Sequence, residues 1–426
     1  MLHRLESLDN DIRIAITGIG SIGRGMVLQA QLTPAMECVA IADIRLDRAI
    51  ACATWLQRDY RVVETIEAMH EAIRHRKLAV SEDGDLLARC ELADVLIEAT
   101  NSIAAGGQFA VTALEHGKHL IMMNAEADLL FGPYLLQLAK ENGVVYSSAD
   151  GDQPVVIRRL IDELMFWGFE LVMAGNIKGF LDRYANPTTI IPEAYKRSLD
   201  YRMCTSYTDG TKLCVEMALL ANAFGMRPTV PGMYGPHTDD IHKVFDVFDF
   251  DSLWENRQPL VDYVLGAQPT GGVFAIGYTE HEFQQYTLDW FPPNMGPGPF
   301  YLFYRPYHLG HFEAMSTVAE AVLDGHSLLQ PDCGFQTNVY AYAKRDLSRG
   351  DQLDGIGGYD CYGLIEECVP DDDDPGLPIC LAEDVILRRD ISMDQRIRMS
   401  DIEYDPTRFE FALFSNAQEL VDGKAL

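Results

Sequence analysis

The sequence predicts an α/β protein with an N-terminal doubly wound parallel sheet, an α+β middle segment and a C-terminal β-rich module. Two observations carry that prediction. From residue 12 to residue 148 short apolar runs alternate with helical stretches, which is the pattern of parallel strands joined by crossover helices. After Gly151 the alternation gives way to unevenly spaced helices, strands and Gly/Pro-rich turns.

The first apolar run, Ile12-Arg13-Ile14-Ala15-Ile16-Thr17, leads straight into Gly18-Ile19-Gly20-Ser21-Ile22-Gly23. In such a GxGxxG turn Gly18 allows the tight bend, Gly20 lets the backbone approach a pyrophosphate, and Gly23 lets the next helix pack closely on its strand. Ser21 and Ile22 fall in the first turn of that helix, where unpaired N–H groups favour negative charge. Glu37 to Ala42 reads as the second strand, and Asp43 stands twenty residues beyond Gly23. A Rossmann domain places there the carboxylate that binds the adenosine ribose, which favours NAD. Arg45, two residues on, can turn to a 2′-phosphate and favour NADP, so NAD or NADP is expected with NAD ahead.

Helices follow near Leu46 to Gln57 and Thr65 to Arg76, then the strand Val95 to Thr100, a helix ending near His116-Gly117, the strand His119 to Asn124, a helix near Pro133 to Glu141, and the strand Val144 to Ser148. Ligands bind beyond the carboxyl ends of strands in such sheets. Thr100, Asn101, Asn124 and Glu126 are therefore expected at the nicotinamide half of the cofactor. Residues 1–150 are assigned to this dinucleotide-binding domain, with a helix over 312–324, stopped by Gly325, packing back on it.

Residues 151–311 read as a substrate domain. Helix Arg158 to Trp167 leads to strand Glu170 to Gly175, then to an irregular segment, Gly175 to Pro192, that carries Lys178. A helix from Gly210 to Phe224 carries Lys212 and Glu216 in an otherwise apolar run. Hydride exchange with a carbinol needs a group that moves the hydroxyl proton and a positive group that polarises the carbonyl. Lys178 and Lys212 suit both roles, or are solvated surface lysines. Glu216, one turn after Lys212, can pair with it. Asp150-Gly151-Asp152 follows the last parallel strand; Asp152 with Glu126 could hold a divalent ion or orient substrate hydroxyls, or serve as a turn former. Asn294 to Pro299 reads as a Gly/Pro-rich turn before the aromatic strand Phe300 to Tyr304. Arg305 and His308, after that strand, either bind an acidic group or brace a strand end.

Over residues 335–426 the texture changes again. Arg345-Asp346-Leu347-Ser348-Arg349 is echoed 44 residues later by Arg389-Asp390-Ile391-Ser392-Met393, and Asp371 to Asp374 reads as a solvated loop between them.

Composition excludes other classes. With 64 acidic against 34 basic residues and a formal charge of −30, the chain lacks the basic surface that nucleic acid or anionic membranes require. No run approaches the ~20 apolar residues of a membrane span. The first strand begins too early to leave room for a signal peptide, and nine cysteines without a CxxC pair suggest reduced thiols, so a cytoplasmic protein is expected. A homo-oligomer is expected on general grounds.

Thr17 to Gly23, Val95 to Thr100 and His119 to Asp128 resemble homoserine-dehydrogenase-like NAD(P)-dependent oxidoreductases. Asp209-Gly210-Thr211-Lys212, Val215-Glu216-Met217-Ala218, Gly296-Pro297-Gly298-Pro299 and Arg305-Pro306-Tyr307-His308 resemble the subgroup with a C-terminal SAF (β-clip-like) domain, which includes type II 1-deoxy-D-xylulose 5-phosphate reductoisomerase-like enzymes. Asn124-Ala125-Glu126 stands where homoserine dehydrogenases carry an Asn-Lys pair, which counts against homoserine itself. The resemblance implies an oxidoreductase acting on a small hydroxy or keto compound, such as a hydroxy acid, sugar acid or sugar phosphate, with or without a coupled ketol rearrangement. The alternative is a non-catalytic dinucleotide-binding sensor whose C-terminal module contacts a partner.

Overall fold

A computed structural model describes the whole chain except residues 198–199, 291–294, 370–371, 422 and 424–426. Asn294 and Asp371, placed above in a turn and an acidic loop, lie outside the described residues. The chain divides into two compact units: residues 1–155, 309–330 and 412–426 form the first, and residues 156–308 and 331–411 the second.

In the first unit the apolar runs become strands because all but the edge strand Tyr60–Val62 bury side chains on both faces, as parallel strands between helices do. They are β1 (Ile12–Thr17), β2 (Met36–Ala42), β3 (Tyr60–Val62), β4 (Leu78–Ser81), β5 (Val95–Glu98), β6 (His119–Met122) and β7 (Tyr146–Ser148). All pair in parallel, in the order β3-β4-β2-β1-β5-β6-β7. The order reverses between β1 and β5, the switch point at which doubly wound sheets bind ligands. The β3 and β4 strands and the short helix Gly84–Ala88 were not foreseen, since they are only three to five residues long and lack an alternating pattern. The helix expected from Pro133 begins earlier, spanning Ala125–Asn142. Asn124 starts it, accepting the Ala127 amide at 3.1 Å through Oδ1, so Glu126 lies in its first turn. The Gly310–Asp324 helix packs on the Ser21–Leu32 helix, as expected of the 312–324 segment. Asp150 is tied to it: its amide donates to Thr317 Oγ1 at 2.8 Å and its Oδ2 accepts from Ser316 Oγ at 2.5 Å.

The second unit is centred on a five-stranded mixed sheet, ordered β12-β11-β8-β10-β9. Its strands are β8 (Glu170–Lys178), β9 (Arg227–Pro228), β10 (Leu260–Leu265), β11 (Val273–Tyr278) and β12 (Phe300–Arg305). One correction concerns Lys178: it is the last residue of β8 rather than part of an irregular loop, because β8 continues through Asn176 and Ile177 in register with β10. The helix Thr211–Phe224 packs against β10 and also against the antiparallel pair β13 (Thr337–Ala343) and β15 (Cys361–Glu367). A second small sheet joins β14 (Gln352–Asp354), β16 (Glu383–Leu387) and β17 (Ile402–Glu403).

The echoed segments pair with each other. Leu347 and Ile391 exchange both backbone hydrogen bonds, at 2.9 and 3.0 Å. Asp346 Oδ1 accepts the Met393 amide and Asp390 Oδ1 accepts the Arg349 amide, both at 2.8 Å. Arg345 grips Asp360 and Arg389 grips Asp401, each through Nε and Nη2. The repeat is thus a local pseudo-two-fold pair. All nine cysteines are free, and among the described residues no helix is long and apolar enough to cross a membrane.

Candidate functional site

In the first unit the glycine turn forms an open cradle. Gly18 has φ +85°, and a Cβ there would lie 2.5 Å from the Ala99 carbonyl, so only glycine lets β1 turn over the end of β5. A Cβ on Gly23 would lie 1.9 Å from the Gly18 oxygen. Gly20 differs, having nothing within 4 Å of its missing Cβ. It precedes the Ser21–Leu32 helix, whose N-terminus receives no side-chain cap, and Ser21 and Ile22 are exposed beside it. Unsatisfied N–H groups at an open helix start are what a pyrophosphate requires.

Asp43 fixes this turn. Its Oδ2 accepts the Ile19 amide and its Oδ1 the Arg45 amide, both at 2.8 Å. Arg45 itself points to solvent and pairs with exposed Asp47 at 3.0 Å, an interaction weak enough to be exchanged for another anion. At the next strand ends, Thr100 is half-buried and Asn101 exposed, while Asn124 is buried and donates through Nδ2 to the Ser102 carbonyl at 3.1 Å. Asn124 therefore joins the loops after β5 and β6. Glu126 is buried close by. Asp152 is half-buried and accepts the following Gln153 amide at 3.1 Å.

Sequence reasoning missed Glu98. It ends β5 fully buried, with Oε1 accepting the Thr100 amide at 2.8 Å and Oε2 without a hydrogen-bond partner. Burial pushes its carboxyl up to about 7, and neighbouring Glu126 adds to the rise. An acidic residue ending an otherwise apolar strand was the available signal.

In the second unit the structure gathers part of the expected set. Lys212 is 6% and Glu216 1% exposed, so neither is a surface group. Asn176, also unforeseen, is fully buried on β8 and its Nδ2 lies 3.5 Å from Glu216 Oε2. Side chains two residues apart share a strand face, so half-buried Lys178 stands on the Asn176 side of the sheet. The same helix face carries Lys212 one turn before Glu216. Arg305 instead stacks over the Tyr307 ring at 4.6 Å, and His308 Nδ1 lies 2.8 Å from the Gly271 carbonyl, which anchors the strand end. Behind the helix, Lys344 Nζ meets Asp209 Oδ2 and the Ala185 carbonyl at 2.8 Å and the Gly358 carbonyl at 2.9 Å, with both side chains buried. Among the described residues no three His, Cys, Asp or Glu side chains converge as a fully protein-built metal site requires.

Residues 18–147 match the family model for the homoserine dehydrogenase NAD-binding domain, and residues 151–314 match that for the catalytic domain of oxidoreductase DRL. The chain joins an NAD-binding domain to an oxidoreductase catalytic domain. Homoserine dehydrogenase of Bacillus subtilis is 24% identical over 219 residues, 49% of this chain; the chain spans 48% of that relative's length. A probable dehydrogenase from Thermotoga maritima, 10% identical, aligns over 97% of this chain and 90% of its own with a TM-score of 0.35. The 1-deoxy-D-xylulose 5-phosphate reductoisomerase from Zymomonas mobilis, in complex with NADPH, is 12% identical over 74% of this chain and 82% of its own, with a TM-score of 0.37. The NAD-binding domain contains the whole Gly18–Gly23 cradle, and the DRL-type catalytic domain contains Lys178, Lys212 and Glu216.

Proposed function

We propose that the chain is an NAD(P)-dependent oxidoreductase that transfers hydride between the cofactor and a small polar hydroxy or keto compound. The observation that carries this reading is the burial of Lys212 and Glu216, one turn apart on a helix whose other residues from 213 to 221 are apolar. Buried charges are costly unless they serve each other or a ligand, and these sit in the domain matched to an oxidoreductase.

Gly18, Gly20 and the amides that open the Ser21–Leu32 helix would hold the pyrophosphate, and Asp43 the ribose, with NAD preferred over NADP. When bound, the dinucleotide supplies the hydride donor or acceptor. Lys212 polarises the substrate oxygen and, with Lys178, moves its proton. Glu216, seated against Asn176, orients the Lys212 side chain. Such a cationic pair suits a substrate with adjacent oxygens, as in hydroxy acids, sugar acids and sugar phosphates.

The test is a screen of those three classes by absorbance of the reduced nicotinamide. Removing a donor aimed at developing charge typically costs roughly 10²–10³ in rate. Lys212→Met should lower kcat/KM by about that factor with dinucleotide affinity intact. Full turnover in Lys212→Met with a substrate so found refutes the assignment.

A further inference from the structure

Glu98 is in register with Thr17 of β1 on one side and Met122 of β6 on the other. It therefore ends the strand at which the sheet order reverses. Directly above, Ala99 and Thr100 form the floor on which Gly18 rests: a Cβ on Gly18 would come within 2.5 to 2.6 Å of their backbone atoms. Glu98 Oε2 makes no well-formed hydrogen bond, with only the Asn124 amide beside it, and a fully buried carboxylate so weakly held is expensive, yet the fold keeps space for it. A Cβ on Gly106, in the Ile103–Glu115 helix, would sit 2.9 Å from Glu98 Oε2 and 2.8 Å from Asn124 Nδ2.

We propose that Glu98 is the buried counter-charge of an oxidised nicotinamide ring, neutral in the free protein and ionised when the positively charged ring is bound, its proton passing from the carboxyl to solvent. This rests on the dinucleotide reading above. The groups facing Glu98 support a single responsive site: β1, β6 and the Ile103–Glu115 helix present Thr17, Met122 and Gly106, none of which titrates, and the Ala125–Asn142 helix contributes Asn124 and the charge of Glu126. In the free protein burial and, less strongly, Glu126 oppose ionisation and outweigh the hydrogen bonds from Thr100 and Asn124 that favour it, which raises the carboxyl to about 7. A ring cation close by acts in the opposite sense, and a reduced, uncharged ring has no such effect. Glu98 thereby discriminates between the two redox states of one cofactor, whose phosphates are identical.

If the ring lowers the carboxyl pKa by about one, linkage gives roughly eightfold tighter binding of oxidised dinucleotide at pH 8 than at pH 5, and about half a proton released near pH 6.5. Calorimetric titration of the full chain with NAD and with NADH, in two buffers of different ionisation enthalpy, reads both quantities. Proton release with NAD and almost none with NADH is expected, and Glu98→Gln should abolish the difference. Glu126→Gln, which removes the neighbouring negative charge, should shift the release maximum to lower pH, and provides the test should Glu98→Gln fold poorly. Equal proton release for NAD and NADH, an unchanged difference in folded Glu98→Gln, or an unmoved maximum in Glu126→Gln overturns the inference while leaving the cofactor reading intact. Failure of the native chain to bind either dinucleotide overturns both.

Discussion

Gly20→Ala separates cofactor binding from folding. Gly20 has φ −74° and ψ −159°, which alanine adopts without strain, and nothing lies within 4 Å of the added methyl. The loss of stability should therefore be no more than about 1 kcal/mol, the cost of alanine at a helix start. That same open space is where a pyrophosphate must approach the backbone. A methyl there displaces the phosphate and removes one charge-assisted amide bond, worth roughly 1.5–3 kcal/mol, or about ten- to a hundredfold in Kd. Gly23→Ala is the contrasting control, because its Cβ would stand 1.9 Å from the Gly18 oxygen and both stability and binding should fall. Dinucleotide titration beside urea unfolding reads the two effects. Native affinity in Gly20→Ala would refute the placement of the pyrophosphate on this turn.

Asp43→Ala should narrow or reverse a preference for NAD over NADP, measured by titration with both, and should loosen the turn because the Ile19 amide loses its acceptor. Lys344→Met should destabilise the second unit by roughly 3–5 kcal/mol in urea unfolding, since it leaves buried Asp209 without its cation. Truncation after Gly334 should prevent that unit from folding, seen as loss of near-UV circular dichroism, because β13 and β15 cover the Thr211–Phe224 helix. Stability should also depend on pH through Glu98. Its folded pKa is about 7 against an ordinary value of 4.5, so the folded state holds the proton more tightly. That stability is complete below 4.5 and is lost as pH rises through 7, by about 3 kcal/mol at most, a decline that Glu98→Gln should remove in unfolding curves.

The glycine turn, Asp43 and the alternation up to Ser148 were legible because local sequence dictates them: one strand period, one helix period and a turn that only glycine can make. Lys178 was misplaced because Gly175 and Asn176 look like strand breakers, while pairing with β10 and β11 carries β8 through them. Propensity gave way to tertiary pairing. Glu98 and Asn176 were missed for another reason: both end or interrupt apolar runs, and their burial depends on how neighbouring elements pack, the Ile103–Glu115 helix over Glu98 and the Thr211–Phe224 helix over Asn176. The covering of the Thr211–Phe224 helix by β13 and β15 was equally hidden. Asn222 Oδ1 accepts the Thr337 amide at 2.8 Å and Thr211 Oγ1 accepts the Gly363 amide at 2.9 Å, contacts that span 115 and 152 residues. Lys212 and Glu216, by contrast, stand out in the sequence because charge in an apolar helix is visible without knowing what covers it, and both are buried.

The pairing of the Arg345–Arg349 and Arg389–Met393 segments has a consequence for assembly. Each turn is completed by a near-copy of itself: Asp346 holds the turn that follows Asp390, and Asp390 holds the turn that follows Asp346. A turn supplied by a second molecule meets the same carboxylate, the same backbone partner and the same geometry. At high protein concentration, or when a slow step delays closure of one chain, this symmetry allows two molecules to exchange the segments and interlock without losing a hydrogen bond. The risk lies in the duplicated motif itself, and breaking its symmetry at one turn would suppress interlocking at the cost of one bond.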